Sequence, residues 1–262
     1  MYPTAYPEAI GILQAVTAAL CATLAKQLTG LYLTGSLTSD AYLPGVSDVD
    51  LIAVTSDEIS DALLPRLAAM HAELAAQFPT WSDRLEVIYV SAASLRLPPE
   101  ATYPLVVISP GEPLHRVEGD RAWRMNWHLV VNYGMTVCGP SPATLFPAVS
   151  QAAYVDEVRS HAAAWGDWLH EMRGLQQQSY AVLTLCRALH TDHHGRYVSK
   201  EEAARWTQGE LPQWAALIAQ ALQWRVTAPP DIDPEATFPE TARFVHTVRA
   251  MIALPNGDAD ER

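Results

Sequence analysis

Two short apolar runs, Leu31–Thr34 and Val49–Thr55, flank the segment that most limits what this chain can become. The first runs into Gly35-Ser36, and the second opens on Asp48-Val49-Asp50. Their length and β-branched content predict strands. A strand that leads into Gly-Ser puts a residue without a side chain and a small hydroxyl at the turn. Backbone N–H groups can then approach a phosphate closely. Asp48 and Asp50 are two residues apart in an extended segment, so both carboxylates are expected on one face, about 6.5–7 Å apart at the backbone. Two hard oxygen donors on a rigid face suit Mg²⁺, which takes carboxylates together with substrate phosphates. Glu86, between Leu85 and Val87, adds a third carboxylate from a further predicted strand, provided that strand neighbours the one carrying Asp50. Such a group beside a phosphate cradle points to metal-assisted phosphoryl or nucleotidyl transfer.

Around this segment the chain reads as β-turn-β-α-β. A helix over Glu8–Leu28 precedes it, Ser56 is a plausible cap for a helix over about 59–77, and strands follow at Leu85–Val90 and Pro104–Ser109. The Pro-Gly-Glu-Pro turn at 110–113 ends the latter. A helix from Arg121 to about Tyr133 and a strand Met135–Cys138 lead to the breaker Gly139-Pro140-Ser141-Pro142. Beyond it helices dominate, at about 153–173, 179–193, 200–208, 213–225 and 239–253, with a loop at Pro229-Pro230 and a frayed acidic tail at 256–262. Two domains are expected, 1–150 and 151–262.

Composition narrows the partners. With 29 acidic and 17 basic side chains the formal charge is −12. This disfavours nucleic acid, whose phosphates need clustered Lys and Arg, and suits a small cationic molecule. Cys21, Cys138 and Cys186 are odd in number and far apart, which argues against a disulfide framework and for a reducing, cytoplasmic setting. The apolar stretch Ala15–Ala25 has no basic residue before Lys26 and is too short to span a bilayer, so neither a leader nor a membrane anchor is expected. The oligomeric state stays open, and a monomer is compatible with all of this.

The order Gly-Ser, then Asp-x-Asp at the start of the next strand, resembles the nucleotidyltransferase superfamily. In the second half, Tyr180-Ala-Val-Leu-Thr-Leu-Cys-Arg187-Ala-Leu-His-Thr followed by Gly195-Arg-Tyr-Val-Ser199-Lys200-Glu-Glu-Ala-Ala-Arg-Trp206 is similar to the helical-domain motif of the aminoglycoside 3''/9 adenylyltransferases. That resemblance implies an α+β architecture: an N-terminal mixed β-sheet with flanking helices plus a C-terminal all-α bundle. It implies a MgATP site shared by two domains that close on the nucleotide, with AMP passing to a hydroxyl of a streptomycin- or spectinomycin-type drug and pyrophosphate leaving. Carried over by residue, Gly35, Ser36 and Ser47 would meet the nucleotide phosphates, and Asp48 and Asp50 would bind Mg²⁺. Glu86 would be the general base and a further metal contact, while Arg187 and Lys200 would hold triphosphate oxygens. Fixed cations opposite carboxylates and a triphosphate make electrostatic sense. Lys200 follows Ser199 at a helix start, where the dipole disfavours a cation, and this favours a ligand role. Ser199 itself reads as the N-cap, with Glu202 completing a capping box.

The acceptor pocket matches less well. Family members carry acidic residues before the helix of Tyr180, where this chain has Gly174-Leu-Gln176-Gln177-Gln178-Ser179. They also carry a Trp in the segment corresponding to 92–110, where this chain offers Tyr103. A nucleotide-contacting Asp falls near Ala122, with Asp120 as a shifted candidate. Asp156, Glu157, Asp167 or Glu171 could supply anionic contacts instead. Two alternatives follow: the same transfer to another small molecule or a protein hydroxyl, and a nucleotide-sensing module without turnover. His190, His193 and His194 around Asp192 are better read as a helix end before Gly195 than as a metal site. Trp165, Trp168, Trp206, Trp214 and Trp224 are read as helical-domain core.

Overall fold

The computed structural model describes residues 6–39 and 41–253, so the expected tail at 256–262 lies outside the described residues. The chain divides between Val149 and Ser150 into two compact units, the first built on a mixed sheet and the second all helical. The architecture is α+β.

In the first unit, α1 (Pro7–Leu24) leads into β1 (Leu28–Thr34), and β2 (Val49–Thr55) is followed by α2 (Leu64–Gln77) and β3 (Leu85–Ser91). Then come β4 (Tyr103–Ser109), β5 (Glu112–Gly119), α3 (Arg124–Tyr133), β6 (Met135–Cys138) and the short α4 (Pro142–Leu145). The sheet order is β5-β4-β3-β2-β1-β6. Only β2 and β3 run parallel, joined by the α2 crossover; the other pairs are antiparallel. One face is covered by α1 and α2, whose Ile12, Leu13, Val16, Leu20, Leu67 and Leu74 pack on Leu31, Leu33, Leu51, Val87 and Tyr89. Because side chains alternate across a strand, the intervening residues Asp50, Ile52, Glu86 and Ile88 belong to the opposite face.

Several expectations are corrected. Helix α1 stops at Leu24, where Ala25 takes a positive φ of 49°, and its last predicted residues turn into the start of β1. With the following 3₁₀ turn it is long and apolar enough to cross a membrane by length and composition, contrary to the shorter stretch read from sequence, yet its apolar stripe is spent on the sheet. Ser56 caps nothing: its hydroxyl donates to Asp57 at 2.7 Å, and α2 starts at Leu64 because Pro65 lacks an N–H and fits only the first turn. Strand β5 was missed: after the expected turn the chain folds straight back on β4, and Pro113 is tolerated there because β5 is an edge strand. Cys138 and Cys21, far apart in sequence, meet in space. Burial raises the Cys138 pKa and the neighbouring Cys21 thiol raises it further.

The second unit comprises α5 (Gln151–Trp168), α6 (Leu175–His194), α7 (Lys200–Glu210), α8 (Ala215–Val226) and α9 (Pro234–Ala253). Helix α6 is central, packed by the other four. Helix α9 begins five residues earlier than expected, since Pro234, not Pro239, occupies the first turn, behind an Asp233 carboxylate that accepts the Glu235 N–H at 3.0 Å. Trp165 and Trp224 are core, as read; Trp168 is 39% exposed and is not. The three histidines close α6 against a left-handed Gly195 and gather on the Trp206 ring.

Candidate active site

The β2–β3 register sets the geometry. Asp50 is the direct partner of Glu86 across the parallel ladder, on the face away from α1 and α2. On its other side Asp50 pairs with Thr34, the last residue of β1, so the chain enters the Gly35-Ser36 turn beside the Asp50 carboxylate. Gly35 has φ +70°, and a Cβ there would overlap Asp50 Oδ2. Glycine is required twice over, by the left-handed backbone and by the closeness of the carboxylate. The turn continues as a 3₁₀ segment, Gly35–Thr38, held by Thr38 Oγ1 donating to the Gly35 carbonyl at 3.0 Å. Asp48 stands immediately before β2. Asp48, Asp50 and Glu86 are all half-buried.

Among the described residues no group of three or more His, Cys, Asp or Glu side chains forms a cluster that could hold a metal ion by itself. What the fold provides is two in-register carboxylates, a third just upstream and a glycine turn packed against them. This donor set fits Mg²⁺ of the shared kind, where one or two carboxylates are supplemented by phosphate oxygens and water.

Ser47 has a structural role that its motif position did not reveal. It is buried; its hydroxyl accepts the Leu43 N–H at 3.0 Å and its own N–H donates to the Leu43 carbonyl at 2.9 Å, closing the turn before Asp48. Its carbonyl accepts two hydrogen bonds from Arg84, a residue that sequence reasoning passed over.

In the helical unit, Arg187 lies half-buried on α6 with its guanidinium 5.5 Å from the Tyr197 ring centre. Burial, helped by the Arg187 charge, pushes the nearby His161 pKa down. Lys200 Nζ sits 4.7 Å from the centre of the Tyr180 ring, itself 49% exposed. Ser199 caps α7 as expected, accepting the Glu202 N–H at 3.0 Å, whereas the Glu202 carboxylate pairs with Arg196 at 2.9 Å rather than reaching back. Cation–aromatic contacts thus fix both basic groups on one unit.

The candidate acceptor contacts are mostly employed elsewhere. Tyr103 is buried: its hydroxyl accepts from Trp127 Nε1 at 3.2 Å, so it is not a stacking platform. Asp120 caps a 3₁₀ turn, accepting the Ala122 N–H at 2.9 Å. Gln178 is fully buried, donating to the Arg173 and Pro234 carbonyls and accepting from Thr237 and Thr241, while Gln177 accepts the Gly174 N–H. The neutral stretch before Tyr180 is therefore built to start α6 and hold α9. Of the acidic candidates, Glu157 is buried, Asp156 pairs with Arg159 at 3.3 Å, and Glu171 and Asp167 are exposed.

Comparison with known proteins fits this arrangement. No curated protein matches the sequence. The fold is similar to that of spectinomycin adenyltransferase AAD(9) from Enterococcus faecialis, whose crystal structure contains ATP and spectinomycin, with a TM-score of 0.73 and 14% identity over 90% of this chain and 99% of that one. Residues 144–251 match the C-terminal domain of aminoglycoside adenylyltransferases. The helical half of the chain is thus a C-terminal domain of the aminoglycoside adenylyltransferase type, and the chain as a whole has the fold of an adenylyltransferase.

Proposed function

We propose that the chain transfers AMP from ATP, with Mg²⁺, to a hydroxyl of an aminoglycoside or aminocyclitol antibiotic of the streptomycin or spectinomycin type, releasing pyrophosphate. The observation that carries this reading is the Asp50–Glu86 pairing with the Gly35 turn packed against Asp50. The drug and nucleotide found with the structural relative support the choice of acceptor and donor. ATP as donor agrees with a cytoplasmic site of action.

Asp48 and Asp50 would hold the metal, with Glu86 beside them; when bound, Mg²⁺ neutralises triphosphate charge. The N–H groups of Gly35 and Ser36 cradle phosphate oxygens, and the Ser47 hydroxyl, which accepts from Leu43, keeps its own proton to donate there. Glu86 takes the proton of the acceptor hydroxyl as its oxygen bonds to the α-phosphorus, and the bond from that phosphorus to the pyrophosphate oxygen breaks. Arg187 and Lys200 supply the fixed positive charge that a triphosphate requires.

One observation favours a second acceptor class. Gln177 and Gln178 are committed to the fold where anionic drug contacts would otherwise stand, so another small molecule or a protein hydroxyl would serve the same chemistry. Incubating the protein with MgATP and either spectinomycin or streptomycin is expected to release pyrophosphate and add the mass of AMP to the drug. No product with either drug, but transfer of labelled AMP in a cell lysate, would replace the acceptor.

A further inference from the structure

Arg84 lies two residues before Glu86, and its hydrogen bonds connect the two strands that carry the candidate carboxylates. Its backbone carbonyl accepts the Val49 N–H at 2.9 Å, between Asp48 and Asp50. Its guanidinium donates through Nε, at 3.1 Å, and through Nη2 to one acceptor, the Ser47 carbonyl, next to Asp48. The Tyr42 hydroxyl, which donates to Glu8 at 2.7 Å, is a further hydrogen-bonding neighbour of the same guanidinium. The planar group stacks 4.3 Å from the centre of the Trp81 ring, which limits its rotation. Arg84 therefore holds the end of the loop before Asp48 from the position immediately before the strand of Glu86.

From this geometry we infer that Arg84 is a positioning residue for metal binding: by fixing Ser47 and the start of β2 against the start of β3, it sets the position of Asp48, which stands outside the ladder, relative to Asp50 and Glu86. The inference rests on the proposed role of those carboxylates. A carboxylate set that shares its ion with phosphate depends on such supporting hydrogen bonds, and their loss in metal sites typically lowers metal affinity 10–100-fold. Lysine cannot reproduce the two-pronged grip, although it keeps the charge and an alkyl stem to cover Trp81.

The test is ATP binding by calorimetry at stepped Mg²⁺ concentrations, together with ATP binding in EDTA, for the wild type, Arg84→Ala, Arg84→Lys and Asp50→Asn. Arg84→Ala is expected to raise the Mg²⁺ concentration giving half-maximal effect about tenfold, with Arg84→Lys in between and metal-free ATP affinity within about twofold of the wild type. A general structural role would instead weaken binding equally with and without metal, and that result overturns the inference. So does an unchanged Mg²⁺ requirement in Arg84→Ala while Asp50→Asn shifts it. An unchanged requirement in Asp50→Asn removes the metal role of the carboxylates, and the inference falls with it. Where Arg84→Ala does not fold, Arg84→Lys decides: a folded lysine variant with the wild-type Mg²⁺ requirement refutes the role.

Discussion

The carboxylates of the first unit and the cations of the second are held in place by different physics. Asp50 and Glu86 owe their juxtaposition to a parallel ladder in which each residue of β2 has one partner in β3. Moving either strand by one residue would send its carboxylate into the apolar layer under α1 and α2. Arg187 and Lys200 sit on helix surfaces and are steadied by Tyr197 and Tyr180. Each is held at the end of a long side chain by a ring, not by a backbone ladder. A rigid anionic face suits chemistry that tolerates little error, and in the proposed reaction the ring-held cations would act on the charge of the bound nucleotide. The comparison implies that substitutions in the first unit act chiefly on the rate of the chemical step and those in the second on nucleotide affinity.

The largest expected effect tests that division. Asp50→Asn should lower kcat about a thousandfold, equivalent to several kcal/mol of transition-state stabilisation, with circular dichroism unchanged. Arg187→Ala should act mainly through a KM for ATP raised about tenfold or more, the weight of a charge-assisted hydrogen bond. Steady-state kinetics on both variants decides, and an Arg187 variant losing kcat as steeply as Asp50→Asn would erase the distinction.

Next in size is the acid sensitivity of the packing behind the sheet that carries the carboxylates. His71 on α2 is buried against the sheet, with Nε2 2.6 Å from the Tyr89 hydroxyl, and burial pushes its pKa down to about 4. In the unfolded chain the imidazole takes a proton near pH 6.5, whereas in the fold it stays neutral until about pH 4. Stability should therefore fall as pH drops through that window, by about 3 kcal/mol from this group alone. Urea unfolding at pH 6.5 and 4.5 should show a smaller drop for His71→Gln than for the wild type; equal drops would assign the acid sensitivity to other groups. The smallest effect concerns the mounting of Lys200. Ser199→Ala removes the cap of α7 and should cost about 1 kcal/mol in thermal unfolding, with ATP affinity following only as far as Lys200 loses its footing.

Much of the site could be read without coordinates, because its components are local. Gly35-Ser36 and Asp48-Val49-Asp50 are strand-end signals carried within a few residues, and Ser199 with Glu202 marks a helix start just as locally. What escaped was what local pattern does not encode. Strand β5 is an edge strand with polar residues and an internal proline, so it lacks an apolar alternation to announce it. Tyr103 looked available as a ring for stacking and is buried against Trp127, a partner 24 residues away. Arg84 carried no motif at all; its reach to Ser47 spans 37 residues.

By itself, then, the sequence determined the chemical inventory: a glycine turn, three carboxylates at strand starts, two cations on the helical half and an acidic balance that disfavours nucleic acid. Period-two alternation and turn chemistry are properties of neighbouring residues, which is why they survive in one dimension. Only the tertiary structure decided that Asp50 faces Glu86, that Ser47 is gripped by Arg84, and that Gln178 is an anchor for α9 rather than a contact for a drug. Those outcomes follow from which strands and helices bury their apolar faces against one another, a choice made by the whole core at once and encoded at no single position.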